Sequence, residues 1–231
     1  MTSALPKPSA VSRVSSGEQA ALFIRQQIFD GEFRPGERIP QDEVARSLGL
    51  SRIPLREALI ALEREGWVTL RMHRGAFVNA LDEQAVRDHY ALFGMLYAFA
   101  VQKALERADD TLVDRLAEIE SRFQVESDPV EAGAIVLTFH ATMIDAAQSN
   151  RIKALFRAIS TVIPSGFFAY VPRAVDVERE ILPTIVSAMR AGDAATAAAE
   201  YQLMMDRIGD EVVTVLRFRG LFDAQPLDES P

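Results

Sequence analysis

The first 66 residues contain three runs in which apolar residues recur every three or four positions, the spacing of an amphipathic helix. Glycines that favour helix C-termini follow the runs at Gly31, Gly49 and Gly66. Ser16 and Ser51 precede the first and third runs, where a hydroxyl can cap the free amides of a helix. The pattern therefore predicts three short helices separated by tight turns.

The pattern changes after Gly66, where the runs WVTLR and AFVNA are rich in β-branched and aromatic residues. They flank the turn segment MHRG and together predict a β-hairpin. Three helices followed by a hairpin outline a winged helix-turn-helix, which is expected over residues 18–80. The polar stretch over residues 1–17 is expected to be a disordered lead-in.

From residue 81 onward the apolar spacing is helical, and no strand-like alternation occurs. Loop and cap signals divide this part into helices predicted at 82–107, 109–126, 128–148, 151–163, 174–191 and 193–218. We expect a mostly α protein, with an N-terminal winged helix-turn-helix followed by an all-α helical bundle over residues 81–218. A polar tail is expected over residues 219–231.

The net charge of −8 is divided unevenly along the chain. Residues 1–80 hold 11 Lys/Arg and 9 Asp/Glu, whereas residues 81–231 hold 14 and 24. A mildly basic N-terminal part and an acidic C-terminal part indicate two functions on one chain. The chain has no cysteine, which excludes disulfides, and its longest apolar run, Tyr90 to Val101, is shorter than the ~18 residues of a membrane span. A cytoplasmic protein with no membrane association is expected.

The third predicted helix carries Arg52 and Arg56 in its first turns, beside its apolar stripe. In a helix-turn-helix this end of the helix enters the major groove, and an arginine fork matches O6 and N7 of guanine. The alternative is a solvated surface helix whose arginines pair with Glu57 or Glu63. The turn, the hairpin and the local charge favour DNA binding. The candidate DNA-binding residues are Arg46, Ser51, Arg52, Ile53, Pro54, Arg56, His73, Arg74 and Gly75.

The segments LFIRQQIFDGEFRPGERI and VARSLGLSRIPLREALIALEREGWVTLRMHRGAFV resemble the N-terminal domain of GntR-family transcriptional regulators. FHATMIDAAQSN and AMRAGDAATAAAEY resemble the FCD effector domain of the FadR-like branch. The resemblance implies a homodimeric, ligand-responsive regulator that binds a short inverted repeat in double-stranded DNA. It assigns DNA contacts to Arg52 and Arg56 and the shape of the wing to Gly75. Asp42 stands where many relatives carry a DNA-contacting arginine, so that contact is not expected.

The resemblance also implies a divalent metal held by one aspartate and three histidines. His140 matches the first histidine, but the other ligand positions fall on Val136, Leu182 and Met204. Phe93 replaces an arginine that commonly binds a carboxylate ligand. Valine and leucine offer no donor atom and methionine only a soft thioether, so we expect neither a metal nor another cofactor.

Two interpretations of these apolar replacements remain open. Either core side chains fill the cavity, or the cavity persists and accepts an apolar or amphipathic effector, which the composition favours. The candidate pocket residues are Phe93, Tyr97, Val136, His140, Leu182 and Met204, with Phe167, Phe168 and Tyr170 as one wall.

Three functions follow from this pattern. The first is a small-molecule-responsive regulator, expected to act as a repressor. The second is a ligand-independent DNA-binding regulator with a vestigial sensor domain. The third is an all-α enzyme, which is disfavoured because the sequence has three histidines and neither a His-Glu-x-x-His motif nor a glycine-rich phosphate loop.

Overall fold

The computed structural model describes residues 15–159 and 167–222. Its elements, in chain order, are α1 (Ser16–Phe29), α2 (Gln41–Leu48), α3 (Arg52–Arg64), β1 (Val68–Arg71), β2 (Gly75–Val78), α4 (Glu83–Arg107), α5 (Leu112–Val125), α6 (Pro129–Ala146), α7 (Asn150–Ile159), α8 (Phe167–Tyr170), α9 (Pro172–Arg190) and α10 (Ala194–Phe218). Residues 1–14 of the predicted lead-in, 160–163 of a predicted helix and 223–231 of the predicted tail lie outside the described residues.

The N-terminal elements have the predicted order of three helices and an antiparallel hairpin, in which Val68 pairs with Val78. The apolar faces of α1 and α3 pack together, and buried Leu59 and Leu62 on α3 belong to the core beneath the hairpin. The chain before α2 adds to the hairpin, because the Ile39 amide donates to the Ala76 carbonyl at 2.9 Å. The winged helix-turn-helix predicted from apolar spacing is confirmed.

Both predicted helix caps need correction. Ser15 rather than Ser16 caps α1, because its backbone is extended and its hydroxyl accepts from the Glu18 amide at 3.1 Å. Ser51 occupies the N-cap position of α3, but its side chain makes no capping hydrogen bond. The hydroxyl of Ser51 is instead exposed at the surface.

From Glu83 to Phe218 the described residues form an all-α bundle, as the apolar spacing predicted. Its two longest helices, α4 and α10, are in close contact at two glycines. A Cβ at Gly94 would lie 3.0 Å from the Cα of Gln202, and one at Gly209 would lie 2.9 Å from the Cβ of Tyr90. No described helix is both long and apolar enough to cross a bilayer.

The short helix α8 was not predicted, since four residues are too few to show a helical period. Phe168 of α8 packs on α6, where a Cβ at Gly133 would lie 2.8 Å from the Phe168 ring. At its other end, the Tyr170 ring meets the Phe29 ring of α1 edge-on, with centroids 5.0 Å apart. The helix therefore touches both the bundle and the N-terminal domain.

A second contact between the two parts comes from the end of α10. The Arg219 guanidinium donates to the Phe29 carbonyl at 2.6 Å and lies over the Phe29 and Tyr170 rings. The Leu81 amide, in the connection to α4, donates to the Leu221 carbonyl at 2.9 Å. The C-terminal end of α10 is thus bound to both the first helix and the interdomain connection.

Candidate functional site

An open cleft of about 1160 Å³ lies between the helix-turn-helix and the hairpin. Its walls come from the segment before α2, from α2, from the first turns of α3 and from the hairpin. Arginines predominate among its charged residues, with two acidic side chains, Asp42 and Glu43, also in the lining. The arginines are Arg38, Arg46, Arg52, Arg56 and Arg71.

Arg52 and Arg56 project from α3 into this cleft, while Leu55 between them is buried. The first turn of α3 contains no acidic residue, so the positive end of the helix dipole adds to the arginine charges. The Arg52 side chain is 87% exposed and pairs with the Asp42 carboxylate at 3.1 Å. This surface is suited to an anion, although Asp42 offsets part of its charge.

The alternative pairing within α3 does not match the geometry. The Glu63 carboxylate accepts from the Leu70 amide of the hairpin at 2.8 Å, and Arg52 pairs with Asp42 of α2. Glu63 therefore connects α3 to the wing rather than neutralising the arginines of its first turns.

The hairpin tip depends on two residues with left-handed backbone conformations, His73 with φ 61° and Gly75 with φ 104°. A Cβ at Gly75 would lie 2.9 Å from Nε of Arg38, so glycine leaves room for that arginine against the hairpin. Met72 and Arg74 are exposed on either side of His73. The tip therefore presents a basic residue and an apolar residue to solvent.

The structure brings together five of the nine predicted DNA-binding residues in the cleft lining: Arg46, Arg52, Arg56, His73 and Gly75. The other four, Ser51, Ile53, Pro54 and Arg74, lie outside that lining, and of these only Pro54 is half-buried. Sequence reasoning missed Arg38 and Arg71. The signal for Arg38 was available in its position next to the buried Ile39, whose strand-like pairing with the hairpin turns the preceding side chain toward the cleft.

Of the six predicted pocket residues, all but Phe93 are buried in the bundle. Val136, Leu182 and Met204 are fully buried, and Phe93 is half-buried at the edge of the group. The centre is aromatic, with the Tyr97 ring 4.9 Å from the His140 ring. Ring contacts thus bring Phe93, Tyr97 and His140 together in the core of the bundle.

Sequence reasoning missed the most polar member of this site, Glu178. Both of its carboxylate oxygens lie 3.1 Å from Nε2 of His140, and the side chains of Glu178 and His140 are 2% and 6% exposed. The expectation that His140 is surrounded by hydrocarbon and one thioether is corrected accordingly. Glu178 precedes Leu182 by one helical turn, and helical periodicity places both on the buried face of α9. The position of Glu178 one turn before Leu182 is the sequence signal that could have identified it as a buried residue of this site.

Two tyrosines complete the centre of the site. The rings of Tyr97 and Tyr201 are stacked, with centroids 5.0 Å apart and an interplanar angle of 4°. Burial raises the pKa of the Tyr97 hydroxyl, and the Glu178 charge raises it further. Among the described residues, neither the Tyr201 hydroxyl nor Nδ1 of His140 has a hydrogen-bond partner. The site therefore combines an aromatic wall, a carboxylate and two unsatisfied polar atoms.

The predicted aromatic wall is only partly correct. Phe168 is buried against α6, but Tyr170 faces α1 and its hydroxyl accepts from Nε2 of Gln26. The side chain of Phe167 is half-buried. Tyr170 thus belongs to the interdomain contact rather than to the pocket.

The metal set that the resemblance implied does not fit these residues. In the described part of the chain, no three His, Cys, Asp or Glu side chains converge in a way that could hold an ion. His140 and Glu178 supply one nitrogen and one carboxylate, and they contact each other. Fully buried Val136, Leu182 and Met204 provide no nitrogen or oxygen ligand to complete a site.

A winged helix-turn-helix with an arginine-lined cleft, joined to an all-α bundle, defines a DNA-binding transcriptional regulator. Residues 17–78 match the family of bacterial regulatory proteins named gntR, and residues 88–207 match the FCD domain. The chain belongs to the GntR family of transcriptional regulators and has an FCD effector-binding domain. Members of this family regulate transcription, which separates the chain from the enzyme alternative.

Relatives support this assignment. The Nta operon transcriptional regulator of Aminobacter aminovorans is 33% identical over 76% of this chain and 86% of that protein. An HTH-type transcriptional regulator of Mycobacterium tuberculosis is 29% identical over 67% of this chain, and the chain spans only 64% of that relative's length. The structure of Escherichia coli McbR/YncC has the same fold, with a TM-score of 0.60 at 17% identity, over 89% of this chain and 99% of that one.

Proposed function

We propose that this regulator is a repressor that binds a short inverted repeat in double-stranded DNA as a homodimer and responds to a small, mainly apolar effector. Residues 18–80 would bind DNA, and residues 81–218 would bind the effector and the second subunit. The single observation that carries DNA binding is the arginine-lined cleft between α3 and the hairpin. Its lining combines the helix that reads base edges in this motif with a wing that can reach the backbone.

An exposed apolar patch supports the homodimer. Leu92, Met95 and Phe99 follow one another at helical spacing on α4 and are each about half exposed, as is Leu203 on α10. The contact of Gly94 with Gln202 places Leu203 beside the α4 stripe. Contiguous exposed apolar side chains mark interaction surfaces, and a two-fold DNA site requires two heads.

Dimerisation can be tested by light scattering at micromolar concentration. We expect the wild-type chain to be a dimer and the Met95→Glu variant to shift toward monomer, because the new charge would be buried without a partner. Val125→Glu is a matched control, since Val125 is highly exposed outside this patch. A wild-type monomer would contradict the proposal.

The buried aromatic site supports an effector that is mainly apolar. Fully buried Val136, Leu182 and Met204 and the rings of Tyr97 and Phe93 supply the apolar surface of a small-molecule site. His140 and Glu178 supply the few polar groups that fix orientation. Metal-independent binding predicts that protein purified without chelator contains only substoichiometric zinc, nickel or manganese by elemental analysis, whereas a near-stoichiometric amount would contradict it.

The position of α8 supports a route from the effector to the DNA-binding domain. Phe168 packs on Gly133 of α6, about two helical turns before His140, and Tyr170 packs on Phe29 of α1. A shift of α6 at the effector site would therefore move a residue that touches the DNA-binding domain. The Tyr170→Ala variant should bind operator DNA but lose most of its response to effector, as measured by fluorescence anisotropy.

A second candidate, the ligand-independent regulator, is favoured by one observation. Val136, Leu182 and Met204 are fully buried and His140 contacts Glu178, as expected if side chains fill the site. The two functions differ in the response of operator binding to small molecules. A ligand-independent regulator would bind its DNA unchanged under every compound that binds the bundle.

The decisive experiment begins with the DNA. Purified full-length protein would be incubated with genomic fragments, and bound fragments would be sequenced. We expect enrichment of a short inverted repeat by the wild-type protein and none by an Arg52→Ala/Arg56→Ala double variant. Arg122→Ala, which removes an exposed arginine of the bundle, is the matched control and should enrich the same sites. Equal enrichment by the double variant would overturn the assignment of α3.

A further inference from the structure

The proposed effector site contains two titratable side chains, His140 and Glu178, although it is deeply buried. Among the described residues, the buried charged or titratable polar side chains are Arg25, His140 and Glu178. Arg25 lies in α1 and makes a two-pronged ion pair with Glu65. Within residues 15–159 and 167–222, His140 is therefore the one buried, potentially cationic side chain that contacts Glu178.

The Glu178 carboxylate keeps capacity for a further donor. Its two oxygens share one N–H of His140, at 3.1 Å each, whereas an ionised carboxylate offers about four lone-pair sites. On the other side of the imidazole, Nδ1 of His140 has no partner among the described residues. The Glu178 carboxylate can therefore accept a further hydrogen bond, and so can Nδ1 of His140 when the histidine is neutral.

Aromatic faces stand next to this carboxylate. The Tyr97 ring lies 4.9 Å from the His140 ring, 5.0 Å from the Tyr201 ring and 4.6 Å from the Phe156 ring. The negative face of an aromatic ring attracts a cation, most strongly where water is excluded. A carboxylate beside several such rings forms an environment suited to an ammonium group.

The same site lacks what a carboxylate ligand requires. Phe93 stands at the position where the resemblance implied an arginine. The nearest arginine in sequence, Arg179, lies over the Phe123 ring at 5.4 Å and donates to the Glu126 carbonyl at the end of α5, while its Nε has no hydrogen-bond partner among the described residues. The bundle has no buried lysine or arginine within the part of the chain that the structure describes, so an anionic ligand near Glu178 would be buried beside a like charge, which is strongly unfavourable.

We propose that the site around Glu178 recognises a positively charged nitrogen, so that the effector is an amphipathic amine rather than a carboxylic acid. This inference rests on the proposed effector function of the bundle and specifies its ligand class. Glu178 accepts the N–H groups of the ammonium, the stacked rings of Tyr97 and Tyr201 border it, and the buried aliphatic side chains contact the apolar part. The Tyr201 hydroxyl is a further hydrogen-bonding group at this position.

The test uses three probes with the same ring and different charge: benzylamine, benzyl alcohol and benzoate. Isothermal titration calorimetry of the full-length protein at neutral pH should give the tightest binding for benzylamine and the weakest for benzoate. We expect benzylamine to bind at least about tenfold tighter than benzoate, as expected for a desolvated cation–π and charge-pair contact. Glu178→Gln keeps the side-chain shape and should remove most of this preference.

Glu180→Gln is the matched control, because Glu180 lies on the same helix but is exposed and pairs with Arg207 at 2.7 Å. It should retain the wild-type order of affinities. If Glu178→Gln does not fold, the order measured with the wild-type protein still decides the question. Benzoate binding as tightly as benzylamine, saturable binding of none of the three probes, or an unchanged preference in folded Glu178→Gln would each overturn the inference.

The regulator proposal has a separate readout in operator binding. Equal binding of all three probes, together with an effect on operator affinity, would leave the apolar effector site standing and reject the ammonium preference. A preference for benzylamine without any operator binding would support the ammonium preference and reject the proposed DNA-binding regulator.

Discussion

The DNA-binding cleft and the bundle interior use charge in opposite ways. In the cleft, Arg52 and Asp42 form an ion pair whose side chains are 87% and 75% exposed. In the bundle, His140 and Glu178 form a pair whose side chains are 6% and 2% exposed. Water screens the first pair, so it contributes little to folding and its arginine is available to DNA. The second pair is desolvated, so changing either residue is expected to affect both the stability of the fold and the proposed effector site.

The largest expected effect comes from breaking the buried pair. Glu178→Leu should lower the free energy of unfolding by about 3–5 kcal/mol, because His140 would remain buried without its partner. The His140→Leu/Glu178→Leu double variant should recover most of this loss, since two apolar side chains need no hydrogen bonds. Urea unfolding followed by circular dichroism measures both values. Equal losses in the single and double variants would show that the two side chains are not coupled.

A smaller effect, on a different quantity, is expected in the cleft. Arg52→Ala and Arg56→Ala should each weaken operator binding by about 1–3 kcal/mol if the arginine contacts a base edge. The free energy of unfolding should change little, since both side chains are exposed. Fluorescence anisotropy on the selected operator and on an unrelated duplex distinguishes two roles. A base contact loses specificity, whereas a phosphate contact weakens both duplexes alike and reduces the salt dependence.

The smallest expected effect concerns Asp42. Asp42→Ala should strengthen operator binding by about 0.5–1 kcal/mol, because it removes a negative charge near the DNA and releases Arg52 from its ion pair. The gain should decrease as salt is raised, as expected for an exposed charge. Anisotropy titrations at low and high salt test this. Weaker binding in Asp42→Ala would mean that the carboxylate positions Arg52 for contact rather than competing with DNA.

Sequence information was strongest where function depends on local spacing. Arg52 and Arg56 lie four residues apart on one helix, and helical periodicity alone places them on one side of α3. The resemblance to the FCD domain, and not spacing, indicated Val136, Leu182 and Met204 as pocket residues together with His140. Helical spacing could not predict contacts between segments that are far apart in the sequence. Glu178 meets His140 across 38 residues, and Tyr170 meets Gln26 across 144. Ser15 differs from the predicted cap by a single residue, because adjacent serines offer the same chemistry and only the backbone conformation selects one.

The length of α10 has a mechanical consequence. Tyr201, in the proposed effector site, and Arg219, which contacts α1, are joined by one continuous helix and its last turn and lie about 27 Å apart along the axis. A straight helix of this length acts as a lever. A tilt of about 5° around Tyr201 would displace Arg219 by ~2 Å, so a small rearrangement of packed side chains becomes a rotation of the DNA-binding domain. In the proposed homodimer on an inverted repeat, a displacement of this size in each subunit would be enough to misalign the two DNA-binding domains with the operator.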